Sequence, residues 1–337
     1  MTVWQRAATA EAMDERLVAQ LAQIAPTKTD EPLARHTTFG IGGPADVFVT
    51  VRDATELARV VMTAREFEAP IFILGSGSNI LVGDRGIRGV VIDNEAKAWR
   101  VEPLQLDPGS PATLPDRARD AAPDDRFVVW AESGVPFAAL ARALARDGYA
   151  GIEWACGIPG TLGGAIVYNA GAYNGSLSDV LLTATVLNGN NGTREMTREQ
   201  LGFGYRTSAL LRGECGGCVV LTVELVVVRG DAAALQRRVA DLDRQRLAAQ
   251  PRGRNSGSTF KNPPGDHAWR LIDAVGLRGY RIGNARISDR HANFFENLGG
   301  ARAADVAALM REAQRRVRER FGVELESEVE LVGEGFE

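Results

Sequence analysis

The chain has 337 residues, beyond the ~250–300 at which one hydrophobic core stops growing, so two or three domains are expected. With 39 Lys+Arg against 43 Asp+Glu, the net charge of -4 lacks the basic surplus of a dedicated nucleic-acid binder. Hydrophobic residues at 45% and charged residues at 24% exclude wholesale disorder, and the 37 glycines call for a reason.

Met13, Leu17, Leu21 and Ile24 recur at helical spacing before Pro26. Glu11, Asp14 and Glu15 within that stretch argue against a signal peptide. Pro44 to Val51 reads as a strand, and Asp53 with Glu56 reads as a capping box opening a helix with Leu57, Val60, Val61 and Ala64 on one face. Short strands follow at Ile71–Leu74 and Val90–Ile92, separated by a glycine loop at 75–79. Residues 102–125, rich in Pro, Asp and Ala and without periodicity, predict an exposed loop insertion. Val128–Ala131 reads as a strand, and Phe137, Leu140 and Leu144 as a helix that Gly148 ends. Residues 151–175 hold so many glycines that mostly loop is expected. Leu181–Leu187 is a strand turned by Asn188-Gly-Asn-Asn-Gly192, and Val219–Val228 is a long apolar strand. The segment from Cys218 to Val228 is too short and too polar to provide the ~18 apolar residues that span a bilayer. Leu235, Val239 and Leu242 mark a charged amphipathic helix ending near Pro251. Residues 253–300 read as loop-rich, Val306 to Phe321 as a helix, and the alternation of Val323, Leu325, Val329 and Leu331 with four glutamates as a strand.

Three glycine loops stand out: Gly40–Gly43, Gly75–Asn79 and Gly157–Gly164. Glycine lets several N–H groups converge on a phosphate without a Cβ in the way, and three such loops favour a diphosphate ligand over simple turns. Neither G-x-x-x-x-G-K-[ST] nor G-x-G-x-x-G after a strand is present. Cys215 and Cys218 form a C-x-x-C with no second ligand pair for zinc and no helix to follow, so an incidental loop pair is expected. Three cysteines make no disulfide framework and fit a reducing cytoplasmic compartment. His36 and His291 read as structural, and no metal site is expected. Asn255–Pro263 packs Ser, Thr, Lys261 and Asn262 around Gly257, which suits either a polar anionic ligand or a turn.

The strings Thr38–Gly43, Leu74–Asn79, Gly157–Ala165, Asn169–Tyr173, Phe203-Gly-Tyr-Arg206, Gly257–Pro263, Ser288–Phe294 and Leu325–Val329 run in order through residues 32–332. Together they resemble the UDP-N-acetylenolpyruvoylglucosamine reductases, flavoenzymes of peptidoglycan precursor synthesis. The resemblance implies an α+β fold: a two-lobed FAD-binding domain of the PCMH/vanillyl-alcohol-oxidase type and a C-terminal α+β substrate-binding domain. The corresponding division is 1–31 as lead-in, 32–100 and 101–230 as the flavin lobes, and 231–337 as the substrate domain. It implies non-covalent FAD held by Gly42, Gly75, Ser76, Gly77, Ser78, Asn79, Gly157, Ile158, Pro159, Thr161, Gly163, Gly164, Ala165 and Asn169. It implies Arg206, Ser258 and Glu328 as catalytic residues, Tyr205, Arg246, Lys261 and Asn262 as contacts to a nucleotide-sugar substrate, and NADPH as hydride donor. Only 52 positions separate Arg206 from Ser258, which looks like the shorter type lacking an extra substrate-domain loop. A lysine common in the family stands as Ala249 here, with Arg246 the candidate to compensate. Two rival readings are another flavin oxidase or dehydrogenase of the same superfamily and a non-catalytic nucleotide-sugar binding protein. The first would often attach FAD through a histidine or a cysteine; no histidine lies between His36 and His267, which leaves only Cys156. The second would not need Arg206, Ser258 and Glu328.

Overall fold

The computed structural model describes residues 14–105 and 113–337. Met13, Glu11 and the rest of the first 13 residues of the lead-in, with 106–112 of the expected insertion, lie outside the described residues. The chain divides into two compact units. One comprises residues 1–27, 49–75 and 92–244, the other residues 28–48, 76–91 and 245–337.

The first unit is organised by an antiparallel sheet around the strand Val219–Arg229. Leu181–Leu187 and Arg126–Glu132 flank it, Thr193–Thr197 and Trp99–Pro103 lie outside those, and Tyr149–Ala150 pairs with its far end. Val223, Leu225 and Val227 alternate onto one face, where they pack with Phe137, Leu140 and Leu144 of the helix Phe137–Arg146. Val226 points to the opposite face and packs with Leu182 and Ala118. Ala118 belongs to a short helix, Asp116–Arg119, so the described part of 102–125 is mostly exposed, as the composition suggests, but is not loop throughout. The strand Trp99–Pro103 also enters that stretch as a largely exposed edge strand, while Leu104, Leu114 and Ala118 cover part of the sheet's apolar second face. The helix Ala54–Glu66 starts as its sequence predicts: Asp53 Oδ1 accepts from the N–H groups of Thr55 and Glu56. The Glu56 carboxylate, however, takes the N–H of Arg52 rather than that of the cap residue.

The expectation of mostly loop across 151–175 holds only around one regular helix. Leu162–Tyr168 is a helix despite Gly163 and Gly164. Burial of Leu162, Ala165 and Ile166 and the Thr161 cap outweigh glycine's poor propensity. Cys215 and Cys218 are joined in a disulfide, contrary to the incidental pair expected. Left-handed Gly213, Gly216 and Gly217 fold the loop back until the two Cα atoms are 5.5 Å apart, within disulfide range.

The second unit is built from shorter pieces. Its core gathers Phe39, Ile41, Leu81, Phe260, Leu271, Ile272, Phe295 and Val306 around the helix Ala303–Phe321. Ile80–Val82 pairs in parallel with Glu330–Val332, and Arg281–Ile282, Ala285–Ile287 and Phe295–Asn297 form a small antiparallel sheet. The loop-rich segment 253–300 therefore hides a helix, Ala268–Ala274, whose buried Ala268, Leu271 and Ile272 sit at helical spacing. The alternating segment 323–331 is not one strand. Leu325 and Val329 are buried, Leu331 is exposed, and only Glu330–Val332 is laddered. Among the described residues no helix is long and apolar enough to cross a membrane.

Candidate active site

In the second unit, Ser258 lies on an extended segment held on both sides by main chain. Ser258 bridges to Phe294, and the N–H of Thr259 donates to Asn293 O at 2.8 Å. On the other side Phe260 bridges to Ser327, and Thr259 O accepts from Glu328 N at 2.9 Å and from Val329 N at 3.3 Å. One residue therefore ties the Ser258 segment to the main chain of Glu328. Asn293 adds a second clamp: its side chain accepts from Phe260 N at 2.9 Å and donates to Phe260 O at 2.8 Å. Ser256 Oγ and Thr259 Oγ1, on either side of Ser258, are buried without a hydrogen-bond partner. Leaving such a hydroxyl unsatisfied costs about 1–3 kcal/mol.

Asn79 of the second glycine loop reaches the same place. Its Nδ2 donates to Glu328 O at 3.0 Å, and its carbonyl accepts from Glu330 N at 3.0 Å. The first two loops interlock in this unit: Thr38 N donates to Gly77 O at 3.0 Å, and Thr38 Oγ1 donates to Asn255 O at 2.8 Å. Gly77 has φ +59, and a Cβ there would lie 2.2 Å from His36 O, so no other residue fits. Gly42 is similarly closed by Val82. The hydroxyls of Ser76 and Ser78 lie 3.2 Å apart at the surface. Lys261 faces Glu326 at 3.4 Å, and Asn262 Oδ1 accepts from Ala268 N, so it caps the hidden helix. Arg246 lies in the last turn of the helix Ala232–Ala249. Arg290, not singled out by the sequence, donates to the carbonyls of Leu247 and Ala248 at 2.7 Å, beside Ala249. His291 Nδ1 accepts from Asn293 N at 3.3 Å, and burial pushes its pKa down, aided by the nearby Arg278 charge.

In the first unit the second and third loops meet. A Cβ on Gly75 would lie 2.6 Å from Thr161 Oγ1, and one on Gly163 would touch Ser133. Gly164 differs: a Cβ there would meet only Thr161 Oγ1 at 3.7 Å, an ordinary van der Waals contact, so the start of the Leu162–Tyr168 helix is not closed by packing. Ile158 packs on the core beneath, while Pro159 is exposed and Ala165 is buried. Arg206 sits in the turn Gly204–Thr207 at φ 55, with Tyr205 exposed beside its guanidinium. Nη2 of Arg206 donates to Gly171 O at 2.7 Å.

An α+β chain of this kind, with glycine loops closed against backbone, matches a family model described as an FAD binding domain over residues 45–197. The class is thus that of the FAD-binding flavoproteins. A second model, described as the C-terminal domain of UDP-N-acetylenolpyruvoylglucosamine reductase, matches residues 249–332. A reductase of that name from Symbiobacterium thermophilum is 39% identical over 322 residues, covering 95% of this chain and 97% of its own. One from Anaeromyxobacter sp. is 45% identical over 307 residues, covering 90% of this chain and 88% of its own. The crystal structure of the Thermus caldophilus reductase superposes with a TM-score of 0.70 at 36% identity, covering 92% of this chain and 99% of that one. The chain belongs to the UDP-N-acetylenolpyruvoylglucosamine reductases.

Proposed function

We propose that the protein reduces the enolpyruvyl ether of UDP-N-acetylglucosamine enolpyruvate to UDP-N-acetylmuramate in the cytoplasm, with NADPH as hydride source. Residues 32–100 and 101–230 would form the flavin lobes and 231–337 the substrate domain. The residues present fit a flavin diphosphate in each unit taken by itself: in the first, Gly164 at the start of a helix has room around it, and in the second, Ser76 and Ser78 carry surface hydroxyls beside Asn79. When bound, FAD would supply the hydride relay between nicotinamide and substrate. Gly42, Gly75, Gly77, Gly157 to Pro159, Thr161, Gly163 and Ala165 are the other residues assigned to holding it.

The observation that carries the reading is the backbone tie between Ser258 and Glu328 through Thr259, flanked by two buried hydroxyls without partners. Two partnerless buried hydroxyls beside Ser258 are polar groups that the fold itself does not use. Hydride addition to the β-carbon builds negative charge at the α-carbon, which spreads into the substrate carboxylate. Arg206 binds that carboxylate, its permanent charge and planar fork suiting a two-pronged contact. Ser258 gives its Oγ proton to the α-carbon, a strongly basic acceptor, and Glu328 orients the transfer. Tyr205, Arg246, Lys261 and Asn262 contact the nucleotide-sugar.

Two measurements test this. The purified protein should carry the visible spectrum of bound flavin, and a colourless protein that takes up no FAD refutes the proposal. In Ser258→Ala, NADPH should bleach the flavin at close to the normal rate, while reoxidation by the enolpyruvyl substrate slows by about 10²–10⁴-fold. Equal slowing of both steps would mean that Ser258 supports the fold instead.

A further inference from the structure

Arg206 is held in an unusual way. Its φ of 55 lies in the left-handed region, uncommon for a residue with a side chain. The turn that carries it is closed by only two main-chain bonds, Gly204 N to Thr207 O at 3.0 Å and Thr207 N to Gly204 O at 3.3 Å. A strained residue persists only where its surroundings over-determine it.

Those surroundings are one helix end. The helix Leu162–Tyr168 stops at Asn169, itself left-handed at φ 44. Asn169 is 7% exposed, and both ends of its amide are engaged inside the unit. Its Nδ2 donates to Gly204 O at 3.0 Å, at the base of the Arg206 turn, and its Oδ1 accepts from Ser178 N at 3.1 Å. Its backbone carbonyl accepts from Arg206 Nη1 at 3.5 Å, and Gly171 O accepts from Nη2. One residue away from the turn, the fully buried Ser208 donates from Oγ to Val167 O at 2.7 Å, in the same helix. The turn thus hangs from residues 167–171 by side-chain bonds at its base, at its tip and just beyond it.

We propose that Asn169 is a positioning residue for Arg206. It fixes the guanidinium through Gly204 and through its own carbonyl, and its amide is committed to the protein rather than to the flavin. The proposal rests on the reading of Arg206 as the carboxylate-binding residue.

The test uses the flavin-loaded enzyme. Asn169→Gly keeps the left-handed backbone accessible and removes only the amide. Flavin content per chain and the rate of bleaching by NADPH should be unchanged, while reoxidation by the enolpyruvyl substrate slows by about 10- to 100-fold, the scale expected of a displaced catalytic group. Combined with Arg206→Ala, it should add nothing to the Arg206→Ala defect, because the two act through one group. Additive defects, or a loss of flavin or of NADPH reduction in Asn169→Gly, overturn the proposal. A slow Arg206→Ala beside a normal Asn169→Gly overturns it while leaving the Arg206 reading intact. Normal reoxidation in Arg206→Ala overturns both. If Asn169→Gly does not fold, Asn169→Asp keeps the acceptor for Ser178 N but removes the donor to Gly204 O, and it should show the same split; a normal reoxidation there overturns the proposal.

Discussion

The two units hold the residues proposed for the chemistry by different means. In the first, a broad sheet with one continuous core supplies a rigid platform, yet Arg206 is outside it, on a strained turn suspended by side chains. In the second, strands are short and the core is assembled from fragments, yet Ser258 and Glu328 are joined by main-chain bonds inside that core. Asparagines finish the work there. Asn293 clamps Phe260, and Asn297 accepts from Gly299 N and Ala301 N while donating to Phe39 O. A side-chain suspension can fail without unfolding its unit, whereas a main-chain tie within a fragmentary core cannot.

The sharpest way to break the comparison is Asn293→Ala. It leaves a buried N–H and a buried carbonyl of Phe260 without partners, each worth about 1–3 kcal/mol. Thermal or denaturant unfolding should show a loss of about 2–6 kcal/mol, enough to unfold a marginal protein. A variant as stable as the parent would mean that the second unit does not depend on its asparagine clamps.

Arg206→Lys should do the opposite. The unfolding midpoint should barely move, while turnover falls by about 10²–10³-fold for the loss of a preorganised donor. Lysine keeps the charge but not the fork that matches a carboxylate. Parental steady-state kinetics in this variant would remove Arg206 from the chemistry.

A smaller effect concerns pH. Burial, helped by Arg278, holds His291 below its ordinary value of 6.5, and its Nδ1 accepts from Asn293 N. The folded state therefore resists a proton that the unfolded chain accepts. Stability should be unaffected above about pH 6.5 and should fall as the pH drops below it, levelling only below the depressed folded value. Chemical denaturation of His291→Gln across that range should lack this acid-side loss. An unchanged pH profile would assign the loss to other groups.

The least consequential change should be Cys215→Ser with Cys218→Ser. The bridge closes a loop with a sequence separation of 3, for which chain-entropy arguments allow only about 2 kcal/mol. Flavin content and turnover should stay close to the parent, with a slightly lower unfolding midpoint. A marked loss of activity on mild reduction would show that this loop supports the Arg206 turn a few residues upstream.

Long periodic elements were legible in the sequence. The helix Ala303–Phe321 and the strand Val219–Arg229 follow from side-chain spacing alone, and the turn at Asn188–Gly192 from its residues. Two helices were not. Glycine masked Leu162–Tyr168, and a polar neighbourhood masked Ala268–Ala274, because their stability comes from burial rather than from propensity. Arg206, Ser258 and Glu328 could be named because they sit in short contiguous strings. Their supports could not: Phe260 and Asn293 are 33 positions apart, Asn169 and Gly204 are 35 apart, and Val167 and Ser208 are 41 apart.

The sequence by itself thus determined the family, the glycine loops and the residue types the chemistry requires, since each is written locally in backbone freedom, charge and spacing. Only the tertiary structure decided which glycines are closed by packing and which leave space, and that Cys215 pairs with Cys218. It alone decided that one asparagine amide is spent on holding the turn of Arg206. These depend on hydrogen bonds and contacts between distant segments, whose geometry exists only once burial has brought the chain together.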